Sequence, residues 1–298
     1  MKTCAAWIVL LLHSLCSCKN INIEENNNSS YLTLEFKSLK VNNKTVEGID
    51  SKASCFPYGF KTMICIFNSQ TFWPYIGGSP IIATSYGGSE LVPEKGVLLP
   101  KGIYDIYSVS ENTPFPSLLN ISQGIATGLA NGKDYLWAKR EAVLLLKNEQ
   151  VILSFNHIAC RLMVNVSGED IRTSVMVNSF RMTLPGTHSN FMTLADGTIS
   201  PSVNVEHISL VNGYGNTREI LILPCLVKLS FEFDATILCE GRAPVNRTFI
   251  GEIDRQLIAG NSYELNIKIK SDLAMKTEIR FYPTNTVDNH IIFKSINN

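Results

Sequence analysis

The sequence lacks the spacings on which catalysis and metal binding are usually built. Its 298 residues contain no Gly-x-Ser-x-Gly, no His-Glu-x-x-His, no Walker loop and no Cys-x-x-Cys. Gly77-Gly78-Ser79 and Gly87-Gly88-Ser89 read as turns rather than phosphate loops. Acidic side chains are sparse and dispersed, so no carboxylate pair can be assigned to glycosidic chemistry. Nothing in the pattern calls for a metal or a cofactor, and the chain does not read as an enzyme. The 26 basic and 26 acidic residues leave no net charge, which removes the electrostatic footprint expected of a nucleic-acid binder. Beyond the N-terminus no window is apolar enough to span a membrane. Sustained 3.6-residue periodicity is missing too, with at most a helical turn within Leu118–Leu129. Arginine is absent before Arg140.

What is present begins with an address. Lys2 followed by the short apolar run Ala5–Leu12 reads as a signal peptide, 1–17, too short to remain as a spanning helix. The run ends in Leu15-Cys16-Ser17-Cys18, which resembles a bacterial lipobox with Cys18 as the acylated first residue. Such acyl chains hold a protein at a membrane without a spanning segment. Residues 18–30 are polar and Asn-rich, the composition of a flexible tether.

From Tyr31 onward the chain reads as strand after strand. Leu32, Leu34 and Phe36 alternate with Thr33, Glu35 and Lys37, the period-two signature of a half-buried strand. The same habit recurs at 62–67, 96–99, 103–109, 142–146 and 151–166. It returns at 174–183, 207–211, 219–223, 227–239, 248–253, 263–269, 278–282 and 290–293. Gly, Asn and Pro clusters such as Asn212–Asn216 and Gly241–Asn246 punctuate these segments. Many short strands of this kind predict an all-β chain of two tandem β-sandwich domains with Greek-key connections, 31–168 and 169–298. The boundary is expected at the polar break Ser167–Asp170.

The segment 151–166 carries a local irregularity. Val151, Leu153 and Phe155 share one face, after which the apolar parity moves to Ile158, Cys160, Leu162, Val164 and Val166. A one-residue slip turns every later side chain over, so a bulge near Asn156-His157, or a bend between two strands, is expected there. His157 is assigned a structural role, bonding backbone freed by that irregularity. Cys55, Cys65, Cys160, Cys225 and Cys239 follow the signal region, an odd number that leaves at least one thiol unpaired in a monomer. Cys55 with Cys65 across a hairpin is the expected disulfide.

Two stretches look familiar. The run Leu129-Ala130-Asn131-Gly132-Lys133-Asp134-Tyr135-Leu136-Trp137-Ala138 precedes Val151-x-Leu153-x-Phe155-x-His157-x-Ala159-x-Arg161-Leu162-x-Val164-x-Val166. Together they resemble the fimbrillin-like proteins of Bacteroidetes-type (type V) pili, with Cys160 as a small departure. Ile222-Leu223-Pro224 and Ala259-Gly260-x-Ser262-Tyr263-x-Leu265-x-Ile267-x-Ile269 agree with the same family. The resemblance implies transthyretin-like sandwiches, export as a lipoprotein to the outer membrane, and assembly with other fimbrial subunits into adhesive surface fimbriae. It also implies that a first strand occupies a groove until proteolysis frees it for a neighbour's strand, a form of recognition carried by main-chain bonds. Leu32, Leu34 and Phe36 are the side chains expected in that groove. The segment His290–Ile296, with Ile291 and Phe293, is the candidate donor.

Arginine-specific processing, as in the best-known relatives, would cut no earlier than Arg140 and destroy the first domain. Lys44 and Lys52, in the polar stretch 41–53, are the expected processing positions. The rival reading is a monomeric surface lipoprotein that binds a glycan or other receptor through Phe56, Tyr58, Phe60, Phe72, Trp73 and Tyr75. Mass spectrometry of the mature N-terminus is expected to find an acylated Cys18, with Cys18→Ala releasing the protein; a soluble, unmodified wild-type chain beginning elsewhere would refute the lipobox.

Overall fold

A computed structural model describes residues 31–42, 56–74, 80–87, 89–185, 190–200, 205–210, 215–224, 229–253, 257–282 and 291–292. Cys18, Lys44, Lys52, Cys55, Tyr75, Cys225 and Phe293 lie outside them. Every regular element described is a strand. The first half contains β1 (Leu32–Asn42), β2 (Lys61–Asn68), β3 (Ile81–Ser85), β4 (Glu90–Pro93), β5 (Val97–Leu99) and β6 (Gly102–Ser110). It continues through β7 (Asn120–Ser122), β8 (Ile125–Thr127), β9 (Leu136–Leu145) and β10 (Glu149–His157). The second half contains β11 (Cys160–Gly168), β12 (Thr173–Pro185), β13 (Phe191–Thr193), β14 (Val205–Ser209) and β15 (Thr217–Ile222). It ends with β16 (Leu229–Cys239), β17 (Val245–Ile253), β18 (Ser262–Ile269), β19 (Met275–Tyr282) and β20 (Ile291–Ile292).

In the first half the strands follow the order β10-β9-β6-β2-β3-β4-β1-β5, and a β10–β1 pairing closes seven of them into a ring. The closure is uneven. β9 meets β10 only at Trp137↔Asn156 and Leu136↔His157, and β4 meets β1 only at Leu91↔Phe36 and Glu90↔Lys37. The ring is therefore flattened, with the β1–β10 ribbon covering a core built from Leu34, Phe36, Ile64, Leu91, Tyr104, Ile106, Val151, Leu153 and Phe155. A bulge at Glu141-Ala142, opposite Asp105, turns β9 away from β10. Ala142 adopts φ 54° there, and its N–H donates to Asp105 Oδ1 at 2.8 Å. A local side-chain acceptor of this kind is what keeps a non-glycine residue in the left-handed region.

The second half places sheet β15-β11-β18-β19-β20 against sheet β14-β12-β16-β17. Strict alternation in β16 buries Leu229, Phe231, Phe233, Ala235 and Ile237, the pattern of a strand with one face on a core. Phe233 stacks on Phe180 at 5.5 Å and on Phe249 at 4.9 Å between ring centroids. An all-β architecture of sandwich type is thus present.

Several details differ from the sequence reading. Leu118–Leu129 holds no helical turn: it folds into the β7–β8 hairpin, closed by Gln123 and Gly124 at positive φ. A Gln-Gly turn carries a weaker signal than Asn-Gly. The short strands β3, β4 and β13 and the charged beginning of β9 also escaped a search for alternation. At 156–160 the bend, rather than a bulge within one strand, is realised. β11 pairs with β15 and, in parallel, with β18, and its apolar residues join the second core. The change of core accordingly falls at Ile158-Ala159, a full strand before the polar break at Ser167–Asp170.

A third apolar cluster joins the halves. Met63, Cys65, Tyr107 and Val109 from β2 and β6, Ile121 and Ala126 from the β7–β8 hairpin, and Met192, Leu194 and Leu223 from beyond the bend pack together. β13 extends the hairpin sheet through Phe191↔Thr127 to Thr193↔Ile125. Cys65 is a buried free thiol in this cluster, and burial pushes its pKa up to about 12.

Gly260 sits over the bend at φ +70°, and a Cβ there would lie 2.6 Å from the His157 carbonyl oxygen. Gly241 has a similar φ of +73° in open space. Gly260→Ala is expected to cost about 2–4 kcal/mol, combining left-handed strain with a backbone clash, against about 1 kcal/mol for Gly241→Ala. Denaturant midpoints of the two variants provide the comparison, and equal losses would argue against a tight bend.

Candidate functional site

The slot occupied by β1 is the feature of the first half suited to strand-based recognition. On one side β1 runs parallel to β10, from Leu34↔Glu149 through Phe36↔Val151 to Asn42↔Asn156. On the other side it is held to β4 by the two pairs above and to β5 by Leu32↔Leu99, Thr33↔Leu98 and Leu34↔Val97. Leu34 and Phe36 are 3% and 2% exposed, and Leu32 packs at the rim of the same core. All three side chains therefore face the first core. Ser38 N and Oγ both donate to Ser89 O, at 2.6 and 3.3 Å, closing its far end. Between β1 and the β4–β5 side lies a cleft of about 750 Å³, lined by Thr33, Glu35, Lys37, Val92 and Gly96 among others.

Burying Leu34 and Phe36 contributes roughly 1.5–3 kcal/mol each. The main-chain ladder to β10 adds roughly 0.5–1.5 kcal/mol per bond. Removal of β1 would expose that apolar slot and leave β10 attached to the ring by its two pairs with β9. The parallel β1–β10 pairing was not anticipated from the sequence. Its one visible signal was that Leu34/Phe36 and Val151/Leu153/Phe155 both bury alternate residues on one face.

The Leu129–Ala138 run proves to be a clamp between the halves. Asn131 Oδ1 accepts from Leu223 N at 2.9 Å, while its Nδ2 donates to Glu206. Gly132 N donates to Leu221 O at 2.7 Å, and Ile158 N donates to Tyr135 O at 2.9 Å. The Tyr135 hydroxyl accepts from Ala130 N at 2.9 Å, and burial pushes its pKa up to about 12, so it stays neutral. Trp137 Nε1 donates to Leu194 O at 2.8 Å. The indole face lies against Gly197, where a Cβ would approach to 2.8 Å.

His157 bonds a carboxylate. Its Nδ1 lies 2.7 Å from Asp134 Oδ1, and Asn112 Nδ2 donates to Asp134 Oδ2 at 2.8 Å. The partner comes from within the Leu129–Ala138 run itself. On the outer face of β11, Arg161 makes a bidentate pair with Glu219, at 2.6 and 2.9 Å. Those bonds hold the Glu219 carboxyl below the usual range, though an exposed pair of this kind adds little to stability. Among the described residues no group of three or more His, Cys, Asp or Glu could hold a metal ion.

Of the candidate donor, Ile291 and Ile292 form β20 and pair with Ile279 and Glu278 at the edge of β19. Of the aromatic group, Phe56 is buried and stacks edge-on to Phe155 at 4.7 Å, and Phe60 packs at the rim of the first core. Tyr58, Phe72 and Trp73 are exposed.

Asn131→Ala removes two links of the clamp at once. It is expected to lose about 1–3 kcal/mol and to split a single thermal transition into two, read by calorimetry. One unsplit transition at the wild-type temperature would deny the clamp its role.

Comparison with known proteins bears on the whole chain. A family model described as fimbrillin-like matches residues 72–284. No curated protein matches the sequence. Among solved structures, a putative cell adhesion protein from Bacteroides uniformis is similar, with TM-score 0.54 and 13% identity over 86% of this chain and 99% of that one. A putative cell adhesion protein from Bacteroides ovatus gives TM-score 0.54 and 14% identity over 90% of this chain and 99% of its own. At these identities the likeness establishes the fold, while the family match runs from β3 through the clamp and the second half, most of the chain: the chain belongs to the fimbrillin-like family.

Proposed function

We propose that this chain is a structural subunit of surface fimbriae that serves cell adhesion, exported as a lipoprotein acylated at Cys18 and joined to other subunits by β-strand exchange. The single observation that carries the exchange mechanism is the divided attachment of β1, laddered over seven pairs along β10 but tied on its other side piecemeal, by two pairs to β4 and three to the short strand β5. A strand held this way can peel from the β4 side while the β10 side still guides its replacement. Main-chain bonds supply the affinity of such a complex, and pockets for alternate side chains supply its register. The slots of Leu34 and Phe36 are pockets of that kind.

The same geometry argues against a long-lived vacancy. Without a strand beside it, β10 would keep only its two pairs with β9, and its apolar face over the first core would open to water. Replacement by an incoming strand is then favoured over removal followed by capture. In this reading the two sandwiches act as tandem transthyretin-like domains, with the change-over at the Ile158-Ala159 bend. The segment around Ile291 and Phe293 remains the proposed donor. Its short pairing along β19 is a resting position that a donor can leave at small cost.

A monomeric glycan binder is the lesser reading, because two of its six aromatics belong to the first core.

The position of the mature N-terminus decides how the slot is opened. Surface-extracted protein beginning at Cys18 would mark an anchor that keeps β1, and protein beginning just after Lys44 or Lys52 would mark a subunit whose first strand is cut away. Mild trypsin treatment of the purified precursor is expected to clip 41–53 first and to yield a ladder of heat-sensitive oligomers. Clipped protein that stays monomeric, with no filaments on cells, would overturn assembly by exchange.

A further inference from the structure

The strand registers of the first half place several exposed apolar side chains at the end where the chain enters β1. Leu32 pairs with Leu99, and Thr33 N donates to the side chain of Asn148 at 2.9 Å. Tyr31, 59% exposed, therefore sits beside the Leu146–Asn148 connection. Gly102, at the start of β6, pairs with Leu145. The turn that follows β2 reaches the same level, since Ser69 N donates to Ile103 O at 3.0 Å. That turn carries Phe72 and Trp73, 78% and 71% exposed, and Leu146 nearby is 59% exposed. Lys101 and Lys147 flank these groups in the sequence of the two connections. His157 and the bend into the second half lie at the opposite ends of β9 and β10.

The aromatic turn is firmly built. Asn68 Oδ1 accepts from Gln70 N and Thr71 N at 2.9 and 3.1 Å. Asn68 N donates to Trp73 O at 3.0 Å, and Phe72 N donates to Asn68 O at 2.8 Å. Phe72 itself is held at φ 57°, an uncommon conformation for a bulky residue. Local bonding thus keeps two large apolar side chains in water at one end of the molecule, an arrangement that core packing does not explain.

We propose that this end of the first half seats on the surface of a phospholipid bilayer, with Phe72, Trp73, Tyr31 and Leu146 entering the headgroup region and Lys101 and Lys147 meeting anionic headgroups. The proposal rests on the lipid-anchor reading for its geometry. Residues 18–30 are the only chain between an acylated Cys18 and Tyr31, and a coil of that length would span about 20 Å on average. The tether thus confines this end, and not the opposite one, close to the membrane. The tether raises the effective concentration of this end at the membrane, adding to an affinity that the patch has of its own. Indole and phenol rings favour the headgroup level, where one edge is apolar and the other wet. Basic side chains near an anionic surface add attraction. At the other end Tyr58 and Tyr86 pack edge to face on each other at 5.7 Å, while Phe115, 72% exposed in the connection after β6, lies on the side away from the tether. A base subunit lying on the membrane would keep that end and the second half free for its neighbour.

Trp73 serves as the probe. Trp7 lies in the signal segment, and Trp137 is committed to Leu194 O. The full mature chain from Lys19, made without acyl groups, is mixed with vesicles of phosphatidylcholine and phosphatidylglycerol. The expected result is a blue shift of Trp73 emission, its quenching by brominated lipid, and co-flotation of protein with vesicles. A Phe72→Asn/Trp73→Ser variant, whose asparagine suits the left-handed position, is expected to float about tenfold more weakly or worse, with an unchanged circular dichroism spectrum. Trp73 emission indifferent to vesicles, or a variant that floats as well as the parent, overturns the proposal. So does a Trp73 response to soluble oligosaccharides with none to vesicles. Because this chain carries no lipid, the result is independent of whether Cys18 is acylated in cells, which mass spectrometry of the extracted protein reads separately.

Discussion

The bend between His157 and Cys160 is the constraint on which the two halves depend. Before it, the chain is β10, whose ladder to β1 closes the first core; after it, the chain is β11, flanked by β15 and β18 in the second. Both halves thus inherit their register from one short run of backbone. Its polar groups are taken up locally: Ile158 N by Tyr135 O, Ala159 O by Gly260 N, and the next amide, Arg161 N, by Asn261 O of the second half. Buried main-chain groups must find partners, and here the partners come from both sides of the junction.

That arrangement suits a first half that holds the strand proposed to be exchanged. The elements that must stay fixed, β10 and the Leu129–Ala138 run, are tied to the second half by the bend, by the Asn131 and Gly132 bonds and by the third apolar cluster. The element proposed to leave, β1, makes no part of that cluster. Its loss would strike the first core while the junction kept its bonds.

The junction also reinterprets residues that invite a chemical reading. A histidine on a carboxylate resembles half of a catalytic arrangement, yet Asp134 is simultaneously bonded by Asn112 and sits inside the clamp. Lys133 beside it pairs at 3.0 Å with Glu111, whose other oxygen accepts from Leu118 N at 3.2 Å. These charges organise loops around the hairpin that the halves share.

Much was legible in the sequence because short-range patterns have short-range causes. Alternation in Leu32–Phe36, Val151–Phe155, Leu229–Ile237 and Tyr263–Ile269 announced strands with one buried face, and the parity change after Phe155 announced a bulge or a bend. Each follows from the two-residue period of extended backbone and needs no knowledge of partners. The sequence could not reveal which strands would lie side by side. The parallel β1–β10 ladder, the position of β11 in the second core, the Asn131 link to Leu223 and the gathering of Tyr31, Phe72 and Trp73 at one end all join residues far apart in the chain. Such neighbours are chosen by the packing of whole sheets, which weighs all apolar faces together, and only the tertiary structure decided them.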